Sequence, residues 1–83
     1  MTLPTIHRNG TAKDDLLEGY MEASSAIQAA IRRVEFNGPN GRDYYPQGDG
    51  AIALAIADHV WRISRLVDVR REIEEIMEHI SKA

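Results

Sequence analysis

From Leu16 onward, apolar residues recur every three or four positions, at Leu16, Tyr20, Ala23, Ile27, Ala30 and Val34, with Leu17 and Ile31 widening the stripe. This is the helical period, and it predicts an amphipathic helix over residues 11–36. A second stripe runs through Ile52, Ile56, His59, Ile63, Leu66, Arg70, Ile73, Met77 and Ile80, with Val60, Val67, Val69 and Ile76 beside it. It predicts a second helix over residues 51–81, which at about 1.5 Å per residue is about 45 Å long. The expected fold is therefore all-α: two long antiparallel helices in one helical-hairpin domain spanning residues 1–83. The second stripe is wider than one antiparallel neighbour covers. The hairpin is thus expected to pair with copies of itself in a helical-bundle homo-oligomer.

The boundaries follow from local chemistry. Residues 1–10 contain Pro4 and end in Asn9-Gly10, which predicts an extended N-terminal arm closed by a turn. Thr11 is placed to cap the first helix, with Asp14 and Asp15 suited to the positive end of its dipole. Asn37-Gly38-Pro39 ends that helix, since proline supplies no backbone donor.

Residues 37–50 form the connection, longer than the two to eight residues that bundle turns usually need. It is polar yet carries Tyr44 and Tyr45, with Phe36 at its edge, whereas flexible linkers are poor in aromatics. These are recognition residues. Tyrosine offers a flat face and a hydroxyl, Arg42 a planar fork for phosphate or carboxylate, and Asn40, Asp43 and Gln47 polar edges. The structural alternative makes Tyr44 and Tyr45 a cap on the bundle end, and Arg42–Asp43 a local ion pair. His7, Asn9 and Thr11 stand beside a helix N-terminus whose free N–H groups can receive an anion. The alternative there is an arm docked on the bundle. His59 lies on the second seam with Arg62 near it, and a histidine among isoleucines reads first as a core or interface residue.

Composition narrows the function. The chain has 83 residues, no cysteine and a formal charge of −3, with both signs interspersed. Thiolate chemistry and disulfides are excluded, and a basic face for DNA or RNA polymers is not expected. No apolar run reaches membrane-spanning length, so no membrane partner is expected and the location anticipated is cytoplasmic. The histidines are scattered, and Glu75 with His79 is an ordinary helical pair, so no metal site is predicted. Arg32-Arg33 and Arg70-Arg71 are doublets, not a basic stripe. Ser24, Ser25, Ser64 and Ser81 stand in no hydrolase context, and no phosphate-binding glycine loop follows a strand. Neither catalysis nor a cofactor is expected.

The segments His7-Arg8-Asn9-Gly10-Thr11, Leu16-Leu17-Glu18-Gly19-Tyr20 and Asn40-Gly41-Arg42-Asp43-Tyr44-Tyr45-Pro46-Gln47-Gly48 resemble a group of small proteins encoded by bacteriophages and prophages. That group shares an H-x-N-G-T opening and an N-G-R-D-Y-Y-x-Q-G loop at this spacing, over nearly the whole chain. The resemblance implies an accessory role in the cytoplasm of an infected host. One architecture among such phage proteins is a compact oligomer that sequesters cyclic-nucleotide or ADP-ribose-type signals of host immunity without cleaving them. The expectation is a sponge of that kind, with Arg42, Asp43, Tyr44, Tyr45, Asn40, Gln47, His7, Asn9 and Thr11 as ligand-binding residues. The competing expectations are a module that docks on a host or phage protein, and a phage structural or assembly component.

Overall fold

The computed structural model describes residues 1–83 and contains two packed helices and no strand. Helix α1 is Lys13–Phe36 and α2 is Ala51–Ser81, joined by two single-turn 3-10 helices, Gly41–Asp43 and Tyr45–Gln47. The helices run antiparallel. Lys13 Nζ donates to the carbonyls of Ser81 and Ala83, at 3.3 and 2.8 Å, closing one end of the hairpin. Midway, the Arg70 guanidinium reaches across to Ser24 Oγ at 3.3 Å and to the Gln28 side-chain oxygen, while also facing Glu74 on its own helix. Ser24 is buried at that crossing, where an unpaired hydroxyl would be costly. The bond to Arg70 removes that cost.

Helix α1 starts at Lys13, later than the expected residue 11. Ala12, not Thr11, precedes the first helical residue, and no side chain caps this end. The turn after Asn9 delays the helix, and Leu16 N–H donates to the Ala12 carbonyl at 3.0 Å. At the other end Asn37 closes the helix by backbone and side chain, its Nδ2 donating to the Arg33 carbonyl at 2.8 Å. Gly50 immediately precedes α2, and its φ of 91° lies in the left-handed region that glycine enters without a Cβ clash.

The seam follows the two stripes, with exceptions that matter. Ile31 and Ile80 are buried, and Leu16, Tyr20, Ile27, Ile63, Leu66, Ile73 and Met77 are half-buried, but Ala30 and Ile56 face outward. Only three of 83 residues are buried, so the hairpin has almost no core of its own. It is also elongated, 61 × 20 × 17 Å, with a radius of gyration of 18.4 Å. A compact chain of this length has a radius near 12 Å. The accessible surface is 6320 Å², against about 5,000 Å² for a globular monomer of this mass. No helix is long and apolar enough to cross a membrane.

Candidate functional site

The connecting loop is ordered by its own sequence. Asn40 accepts the Arg42 backbone N–H on its side-chain oxygen at 3.1 Å, and Asp43 and Tyr44 donate to the carbonyls of Asn40 and Gly41. A second turn follows, with Pro46 inside it, closed by Gln47 to Tyr44 and Gly48 to Tyr45. Two tight turns in succession separate the adjacent tyrosines. Tyr44 is half-buried, whereas Tyr45 is 76% exposed.

Tyr44 lines two grooves. The first, of about 280 Å³, lies between the loop and α2; Asn37, Pro39, Tyr44 and Gln47 line it with Leu54, Asp58, His59 and Arg62. The His59 imidazole abuts Gly38, where an added Cβ would lie 3.5 Å from Nε2. The second groove, of about 310 Å³, is lined by Tyr44 and Tyr45 with Gly41, Asp49 and Ile52. Within the chain neither Asp58 nor Arg62 forms an ion pair. The first groove thus combines an aromatic ring, a guanidinium, an imidazole, a carboxylate and two amides. Such a set can stack a planar ring and bind an anionic or polar edge.

The predicted residues divide into three sets. Tyr44 and Gln47 line the first groove, and Tyr45 the second, while Asn40, Arg42 and Asp43 line neither. Asn40 is a turn-forming residue here. Arg42 and Asp43 are exposed and do not pair with each other. His7, Asn9 and Thr11 lie at the opposite end of the hairpin. The arm is held there by a hydrogen bond between His79 Nε2 and the Pro4 carbonyl, at 2.8 Å. His7 folds its ring over Gly10, where an added Cβ would come within 2.8 Å of Nε2, so the small residue permits the contact. Thr11 borders a separate apolar depression with Leu16, Tyr20 and Ile73. Because about 40 Å of α2 separates the two ends, one chain cannot bring its loop and arm residues together.

Sequence reading missed Asn37, Pro39, Leu54 and Asp58 as groove residues and placed His59 only on the seam. No group of three or more metal-binding side chains is assembled. No family model matches this chain, and neither a curated protein nor a solved structure matches it.

Proposed function

We propose that the chain is a phage-encoded, oligomeric capture protein that binds a small nucleotide-type signal of host immunity, a cyclic nucleotide or an ADP-ribose derivative, and holds it intact. The observation that carries this reading is the groove between the loop and α2, which Tyr44 lines together with Arg62, His59, Gln47 and Asn37. A base stacks on the ring, a phosphate takes the guanidinium, and the amides read the polar edge. At about 280 Å³ the groove sits at the lower limit of ligand pockets, about 300–1,000 Å³. A ligand of dinucleotide size therefore needs a further wall, which an oligomer can supply. Arg42 and Tyr45, free on the loop surface, are available to the same ligand from outside.

Calorimetric titration with cyclic dinucleotides, linear dinucleotides and ADP-ribose derivatives tests the reading. Base–aromatic stacking is worth about 1–3 kcal/mol, so Tyr44→Ala should weaken binding about tenfold or more. Arg62→Ala should weaken it comparably, and Arg42→Lys should affect only ligands that use the planar fork. Denaturing the loaded protein should return unchanged ligand. Absence of binding to every member of the panel overturns the proposal, and recovery of hydrolysed ligand replaces capture with catalysis.

A further inference from the structure

Helix α2 carries a row of side chains that its own hairpin leaves uncovered. Leu54, Asp58, Trp61, Arg65 and Val69 recur at helical spacing, so they share one face, and all five are exposed. Leu54 and Trp61 are 70% and 62% exposed. Asp58 and Arg65 have no ion-pair partner in the chain, and the Arg65 guanidinium rests 5.8 Å from the centre of the Trp61 ring.

The order of these residues is self-complementary. A two-fold axis between Trp61 and Arg62 sets Leu54 against Val69 of a second copy, Asp58 against Arg65, and Trp61 against Arg62. Apolar meets apolar, anion meets cation, and ring meets guanidinium, each contact occurring twice as an isologous interface requires. Parallel pairing in register would instead oppose Asp58 to Asp58 and Arg65 to Arg65. The surface balance agrees. The chain exposes 6320 Å², about 1,300 Å² more than a compact monomer of its mass, and a standard interface covers about 800 Å² per partner.

We infer that this face of α2 docks antiparallel on the same face of a second copy, about an axis between Trp61 and Arg62, and that this dimer walls the groove at Tyr44. Leu54 and Asp58 belong both to the groove and to the face, and Arg62 to the groove and the border of the face. In this register residues 51–62 of one α2 run beside residues 61–72 of the other. The groove residues Leu54, Asp58 and Arg62 fall level with the second copy's Val69, Arg65 and Trp61, which supply the further wall. The inference rests on the assembly part of the proposed function and is independent of the ligand class.

The test needs no ligand, so its failure is distinct from a failure of the binding reading. The chain has no cysteine and one tryptophan, which makes single-site probes clean. Mixed Leu54→Cys and Val69→Cys chains should form a 54–69 disulfide rapidly, whereas Leu54→Cys alone should crosslink poorly. Its two copies would stand about 22 Å apart in this register. Efficient 54–54 crosslinking, or none in the mixture, overturns the inference. In sedimentation at micromolar concentration, Asp58→Arg and Arg65→Asp should each shift the protein at least tenfold toward monomer, and the double variant should restore assembly. The restored double variant separates lost pairing from lost folding; a double variant as dissociated as either single one rules the register out. Trp61 emission should move to longer wavelength on dilution of the wild type, and a position independent of concentration also overturns the inference.

Discussion

The two ends of the hairpin are built by opposite means. At the arm end, three distant segments are tied together: Pro4 to His79, Lys13 to Ser81 and Ala83, with Ile80 fully buried among them. At the loop end the hydrogen bonds are local, spanning Asn40 to Gly48, and the side chains they position stay largely exposed. The arm end therefore contributes tertiary stability. The loop end contributes shape: it sets Tyr44 against α2 and leaves Arg42 and Tyr45 free. A protein that must present unpaired polar groups at one end gains from fixing its helices at the other.

Three measurements can break or sharpen this contrast. Ile80→Ala should have the largest effect on stability, about 2–5 kcal/mol, because it removes a fully buried aliphatic side chain. Calorimetric melting would show it, together with release of the arm. Asn40→Ala should cost much less, about 1 kcal/mol, since one exposed turn-forming hydrogen bond is lost. Its signature should be faster amide exchange at Arg42 to Tyr44 with α1 and α2 unaffected; a global loss matching that of Ile80→Ala would erase the distinction between the ends. Glu78→Gln should be the smallest change. The hydrogen bond and charge of Lys82 hold the Glu78 carboxyl below its ordinary value. A depressed carboxylate contributes stability above its unfolded value and loses it as pH falls through the folded one. The melting-temperature gap between wild type and Glu78→Gln should therefore be present at neutral pH and close in acid.

The helices were legible because their cause is periodic. Apolar spacing set both stripes, and Asn37-Gly38-Pro39 set the end of α1 by removing a donor. Thr11 misled because a cap depends on the dihedral angles of the chain entering the helix, and the turn at Asn9 moved the start to Lys13. Ala30 and Ile56 fit the stripes in period but lie too far around their helices to reach the other. Half of the groove was hidden for another reason. Tyr44 shares a groove with Asp58 and Arg62 only because two 3-10 turns fold the loop back on α2, and composition does not encode that path. The separation of His7, Asn9 and Thr11 from the loop is, by contrast, a direct consequence of hairpin topology.

The near-absence of a private core has a consequence in time as well as space. With three buried residues, an isolated copy has little to resist fraying, and the dimer inferred above would couple its folding free energy to the number of neighbours through mass action. The unfolding midpoint is expected to climb with total protein concentration. In a cell just beginning to synthesise the chain, early copies are the ones most open to proteases. In that dimer, later copies would protect one another once a threshold abundance is crossed.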